Sequence, residues 1–146
     1  MDTRIAKVDQ SWQAESKSPG WAEGSVTDPL PPAVDPEVIA GIRELQGEDG
    51  VDLLTELIDM FARDVPRRLA DLRRAVEGDD TVAVLNGAHS LKGSSASLGA
   101  THLAVLCGQL EQCGRTRRLD GAADLLADVA REFERVRAAL DAERAR

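Results

Sequence analysis

A histidine and a lysine three residues apart are the side chains of this sequence best placed to do chemistry. His89 lies in the run AHSLKGSSASLGA, residues 88–100, with Lys92 and Gly93 following it. Imidazole is a competent nucleophile when neutral, and an ordinary histidine pKa of about 6.5 leaves a large neutral fraction near neutrality without an activating base. If the segment is helical, Lys92 stands one turn from His89, and its ammonium can reach oxygens attached to the ring. As an exposed pair this contributes only about 1 kcal/mol. A glycine costs roughly 1 kcal/mol relative to alanine inside a helix. Gly93 therefore calls for a reason, and the one at hand is that its missing side chain opens a path to the imidazole.

A helix turning about 100° per residue gathers Val82, Leu85, Asn86, Lys92, Gly93 and Ala96 around His89 and sends the apolar stripe to the opposite side. Apolar, small and charged side chains mixed on one face suit the docking of another protein better than simple solvation. The plain alternative is a surface histidine on a stable helix. His102 has Thr101 before it and no matched Lys-Gly pair, so it reads as structural or solvated. Cys107 and Cys113 are separated by about 240° of rotation on a helix, which points them to different sides, prevents a disulfide within it and suggests reduced, packed thiols. Two thiols and His102 are too few ligands for a metal site, and none is expected.

Something must hold this face in place, and the composition says what kind of scaffold. Of 146 residues, 42% are hydrophobic but only 3% aromatic, so a core must be built from Leu, Val, Ile and Ala, which favours interlocking helices. The length suits one domain. A formal net charge of −8 disfavours nucleic acid and anionic membrane as partners, since phosphate neutralisation needs Lys and Arg in excess. No apolar run is long enough to span a bilayer, and the first residues lack the apolar stretch of a secretory signal. A cytoplasmic, monomeric protein is expected.

Residues 1–34 hold four of the six prolines and both tryptophans, with no apolar period, and read as a flexible N-terminal tail. Trp12 and Trp21 could form a docking motif, or simply belong to a linker. The domain, residues 35–146, opens at Asp35-Pro36-Glu37, a capping Asp followed by a Pro suited to the first helical position. A short helix to about Gln46 is expected, stopped by Gly47. Val51, Leu54, Ile58, Phe61, Val65, Leu69, Leu72 and Val76 then recur at helical spacing and predict a long amphipathic helix ending near Gly78, bent rather than broken at Pro66. Asp79 or Asp80 can cap a third helix that carries His89 and runs to Leu98, with Gly99 as its stop.

A fourth helix is expected from about Ala100 to Cys113, burying Leu103, Leu106, Cys107 and Leu110 and stopped by Gly114. The last begins near Asp120 and presents Leu119, Ala122, Leu126, Val129, Phe133, Val136 and Leu140. The expected fold is all-α: an antiparallel up-and-down four-helix bundle with a short additional N-terminal helix.

The segment AHSLKGSSASLGA, with VDLLTELIDMFARDVPRRLADLRRAV before it and THLAVLCGQLE after it, resembles the histidine-containing phosphotransfer (HPt) domains of phosphorelays. The likeness covers about residues 35–142. It implies that His89 accepts a phosphoryl group on Nε2 from the aspartyl phosphate of one receiver domain and passes it to another. It implies further that Lys92 steadies the phosphoryl group, that Gly93 clears the approach, and that Ser94 and Ser95 belong to the packed hairpin. Family members often use a Gln on the neighbouring helix to orient the imidazole, and the corresponding residue here is Glu111. That carboxylate can accept the Nδ1 proton, yet its charge opposes a nearby phosphate, which Arg115 one turn on can offset. The partners implied are receiver domains of response regulators or hybrid histidine kinases. No bound cofactor is expected, because the Mg²⁺ used in transfer would belong to the receiver.

Two other readings compete. A sensor histidine kinase also displays a histidine on a helical hairpin, but HSLKG lacks the acidic residue after the histidine and the later proline usual there, and no ATP-binding domain accompanies it. A helical module that binds or sequesters a receiver without carrying phosphate would use the same apolar rim.

Overall fold

The computed structural model describes residues 31–46 and 52–144. These contain five helices: α1 (Pro36–Gln46), α2 (Leu53–Glu77), α3 (Thr81–Ser97), α4 (Thr101–Thr116) and α5 (Ala122–Arg144). Gly47, Val51, Trp12 and Trp21, and with them the expectations placed on them, lie outside the described residues.

The first three helices begin where an aspartate offers their free amides an acceptor. Asp35 Oδ1 accepts from the Glu37 amide at 2.9 Å ahead of α1. Asp52 accepts from the Thr55 amide at 3.1 Å and the Thr55 hydroxyl at 2.7 Å at the start of α2, and these bonds hold its carboxyl below the ordinary value. Asp80, not Asp79, caps α3, taking the Ala83 amide at 3.1 Å. Asp79 instead makes the turn with φ 56°, in the left-handed region that Asp tolerates better than most residues. Pro66 sits inside α2, which continues through it as one helix.

α2, α3, α4 and α5 form the expected antiparallel bundle: α2 and α4 each pack against both α3 and α5, and α1 rests on α2. The most extensive of these interfaces joins α3 to α4. Their connection is only Leu98-Gly99-Ala100, so the helices must fold back on each other directly. The core between them is aliphatic, with Ile58, Leu72, Val84, Leu91, Leu103, Leu110, Val129 and Val136 at 1% exposure or less. Phe61 of α2 meets Phe133 of α5 with ring centroids 5.7 Å apart. The compact unit runs from Ala33, and Ala33 and Val34 are already buried in the core ahead of α1. At the far end Arg43 of α1 donates to the Glu143 side chain at 3.1 Å and to its carbonyl at 2.6 Å, fastening α1 to α5.

Two boundaries differ from the sequence reading. α4 does not stop at Gly114 but continues to Thr116, and the left-handed residue that ends it is Arg117, φ 62°. Gly114 is inside the helix because the α3 backbone occupies the place of a side chain: a Cβ there would stand 2.6 Å from Leu85 N and 2.9 Å from Thr81 O. α5 begins at Ala122 rather than near Asp120, after Gly121 turns the chain with φ 80°.

Candidate functional site

His89 lies midway along α3, where Ala88, Leu91 and Ser95 face the core. Its own side chain points outward, 67% exposed, while Nδ1 is 3.0 Å from Oε2 of Glu111 on α4. Glu111 is the opposite case, a carboxylate only 4% exposed. It is the acceptor for three donors: Lys92 Nζ reaches Oε1 at 2.7 Å, and His89 Nδ1 and Arg115 Nη2 each reach Oε2 at 3.0 Å.

The electrostatics follow from that enclosure. The Lys92 ammonium, then the His89 ring and the Arg115 guanidinium, hold the Glu111 carboxyl down to about 2, against the upward push of burial. An ionised carboxylate has only lone pairs to offer, so Nδ1 must carry a proton, and in the neutral ring Nε2 is therefore the nitrogen with the lone pair. With Nδ1 engaged and the ring mostly exposed, Nε2 is the nitrogen available to an incoming group.

Glycines make the arrangement possible. A Cβ on Gly108 would lie 3.6 Å from Lys92 Cδ. The lysine stem therefore crosses α4 at Gly108 on its way to Glu111, one turn further along the same helix. Gly114 brings the α4 backbone against Leu85 and Thr81, which sets the distance across which Glu111 meets His89. A Cβ on Gly93 would meet nothing within 4 Å, so the surface beside His89 is open.

The other residues picked out from the sequence divide by exposure. Val82 is 61% exposed, and Asn86, Gly93 and Ala96 are also exposed, whereas Leu85 is half-buried, its backbone against Gly114. Arg115 is exposed, and besides Glu111 it donates to Gln112 Oε1 at 3.2 Å. Ser95 is fully buried with its hydroxyl donating to the Leu91 carbonyl at 2.8 Å, while the Ser94 hydroxyl donates to the Ser90 carbonyl at 3.2 Å. His102 is half-buried near the start of α4, and both cysteines are free thiols, Cys107 buried and Cys113 partly so. No group of three or more His, Cys, Asp or Glu side chains among the described residues could hold a metal ion.

Sequence reasoning missed the Lys92–Glu111 pair, having assigned Lys92 to a group carried on the ring. No signal within a single helix reveals it, because Lys92 stands on α3 and Glu111 on α4 and only the packing of the two brings them to 2.7 Å.

The Hpt domain family matches residues 56–143, more than half of the chain and all of the site just described. The chain belongs to the Hpt domain family. Among related Hpt proteins, it is 28% identical over 102 residues to histidine-containing phosphotransfer protein 2 of Arabidopsis thaliana, a match covering 68% of this chain and 65% of that one. It is 33% identical over 94 residues to histidine-containing phosphotransfer protein 1 of Oryza sativa subsp. japonica, covering 63% of this chain and 64% of that one. With multistep phosphorelay regulator 1 of Schizosaccharomyces pombe the identity is 28% over 92 residues, covering 63% of this chain and 31% of the relative. The chain thus spans less than two thirds of the length of these relatives. The fold is similar to the crystal structure of histidine-containing phosphotransfer protein B (HptB) from Pseudomonas aeruginosa PAO1, with a TM-score of 0.71, 36% identity, and coverage of 78% of this chain and 96% of that one. No helix among the described residues of this Hpt chain is long and apolar enough to cross a membrane.

Proposed function

We propose that this Hpt chain is a phosphocarrier of a two-component phosphorelay, with His89 accepting a phosphoryl group from a receiver-domain aspartyl phosphate and passing it to a second receiver. The observation that carries this reading is an exposed imidazole whose Nδ1 is fixed by a buried carboxylate, which leaves Nε2 with its lone pair toward solvent. The Nε2 lone pair forms the N–P bond as the acyl phosphate O–P bond breaks, and the receiver's aspartate leaves as a carboxylate. Lys92, 40% exposed, can turn one of its three N–H donors toward the arriving oxygens while another stays on Glu111.

The open surface beside Gly93 and the exposed Val82, Asn86 and Ala96 suit a docking receiver. The magnesium ion used in such a transfer is assigned to the receiver's acidic pocket, since Glu111, the carboxylate beside His89, is already taken by Lys92 and Arg115. On this reading the protein has no autokinase activity, acts as a cytoplasmic monomer, and binds no nucleic acid. Its receivers belong to response regulators or hybrid histidine kinases.

The test compares wild type with His89→Gln, each mixed with a phosphorylated receiver. The wild type should gain acid-labile phosphate, and the variant should stay blank yet still bind the receiver. A protein that sequesters receivers without carrying phosphate would leave both blank. Labelled ATP alone should label neither, and labelling of His89 from ATP alone would point to a kinase.

A further inference from the structure

We infer that Glu111 is a positioning residue for the phosphorylated state: it keeps the proton on Nδ1 after Nε2 has been phosphorylated, so the group is carried on an imidazolium. The inference rests on the reading of His89 as the carrier, and it concerns what a carboxylate at this position does that an amide would not.

The starting ring is the Nδ1–H tautomer, because Nδ1 faces an acceptor-only oxygen at 3.0 Å. When the Nε2 lone pair forms the bond to phosphorus, the donor's O–P electron pair leaves with its carboxylate and the Nδ1 proton stays where it was. The ring is then a cation. Were it to lose that proton, an Nδ1 lone pair would point at a carboxylate oxygen, acceptor against acceptor, with a part-buried hydrogen bond forfeited. Glu111 cannot readily relieve the clash by taking the proton itself, since Lys92 at 2.7 Å and Arg115 at 3.0 Å stabilise its anion. The depression of its carboxyl to about 2 agrees with this. A glutamine would accept either state, because its amide can present oxygen to an N–H or NH₂ to a lone pair.

The proton decides the chemistry of onward transfer. Breaking the N–P bond of a protonated ring returns the electron pair to a cation and releases neutral imidazole, whereas breaking it from a deprotonated ring would expel an imidazolate anion. With Glu111 in place, transfer in either direction requires no proton to leave or enter the ring. The charged groups joined to the ring, directly or through Glu111, are Glu111 itself and Arg115 from α4 and Lys92 from α3. Among the described residues, α2, the other helix packed on α3, places no charged side chain in an ion pair with His89 or Glu111.

The experiment loads wild type and Glu111→Gln with phosphoramidate, a small phosphodonor that needs no receiver, and follows the ring nitrogens of phosphorylated His89 by NMR across a pH series. The wild-type ring should keep its Nδ1 proton to a pH higher by roughly one unit or more than the variant. At mildly alkaline pH the variant's phosphohistidine should hydrolyse several-fold more slowly. Equal midpoints, or a lower one in the wild type, overturn the inference. So does failure of phosphoramidate to modify His89, because an exposed Nε2 lone pair is the premise. If Glu111→Gln does not fold, the wild type alone decides, since its ring must hold the proton to higher pH than free phosphohistidine does. A receiver that cannot label a wild type loaded normally by phosphoramidate would sink the carrier reading and leave this one standing.

Discussion

Gly114 presses against the backbone of Leu85 so closely that a Cβ at Gly114 would lie 2.6 Å from the Leu85 nitrogen and 2.8 Å from its Cα. The obstacle is main chain and cannot swing aside. In Gly114→Ala the gain in helix propensity, about 1 kcal/mol, is set against forced separation of α3 from α4, and overpacking of this kind costs about 1 to 3 kcal/mol. A net loss of stability is expected in urea unfolding. The contact between His89 and Glu111 should loosen with it, visible as a changed Nδ1 resonance in the folded protein. A variant as stable as wild type would show that the helices can part without cost.

Gly93 should behave in the opposite way. Nothing lies within 4 Å of a Cβ there, so Gly93→Ala should stabilise the helix by up to about 1 kcal/mol. A bulkier Gly93→Leu should fold normally but lose receiver-dependent labelling of His89, because the side chain would fill the approach. Small-molecule phosphorylation should fall much less. Unchanged transfer between proteins would count against this face as the docking surface.

These two glycines show what could be read from the sequence and what could not. The apolar stripes and the outward face of His89 depend on neighbours within one helix, so spacing alone located them, while the α3 cap was narrowed to Asp79 or Asp80. Gly114 resembled a helix stop because glycine's backbone freedom is a local property, whereas its actual reason is a packing contact with another helix. The same limit hid the Lys92–Glu111 pair, since how far two helices are rotated about their axes decides which side chains meet across them. Glu111 and Arg115 emerged as site residues through the family resemblance, and the distances of 3.0 Å that join Glu111 to His89 and Arg115 to Glu111 had to come from the folded bundle.

Acid should weaken the bundle through Glu111. Its folded carboxyl titrates near 2 against an ordinary 4.5, so the folded state favours the anion. That contribution is fully present above about 4.5 and is lost as the pH falls from there through about 2, as the unfolded chain takes up the proton first. Urea midpoints of wild type should drop across this window more steeply than those of Glu111→Gln, which has no carboxyl to titrate. Parallel curves would mean that the ion pairs around Glu111 contribute nothing to folding.

Cys107 offers an independent probe of the same interface. It is fully buried beside the Ser95 hydroxyl, and burial pushes its thiol up to about 12. A thiol reagent should therefore reach Cys107 only when the bundle opens, at a rate that rises with denaturant, while the partly buried Cys113 reacts faster in the native state. Mass spectrometry of labelled peptides reads the two apart, and rapid native labelling of Cys107 would contradict its burial between α3 and α4.

Lys92 must serve two partners on the proposed reading, and Lys92→Met separates them. The stem that crosses Gly108 is retained in large part, but the ammonium 2.7 Å from Glu111 Oε1 is gone. Losing one charged hydrogen bond to a buried carboxylate should cost about 1 to 3 kcal/mol. With its largest stabilising partner removed, the Glu111 carboxyl should titrate closer to 4.5, narrowing the acid window from below. Phosphotransfer to His89 should slow by more than the loss of stability explains, because on the proposed reading the phosphoryl oxygens also lose a cation. Carboxyl-carbon NMR of Glu111 measures the first effect, and single-turnover labelling under conditions where the variant is fully folded measures the second. A shifted carboxyl with unchanged transfer would leave Lys92 a structural partner of Glu111 and nothing more.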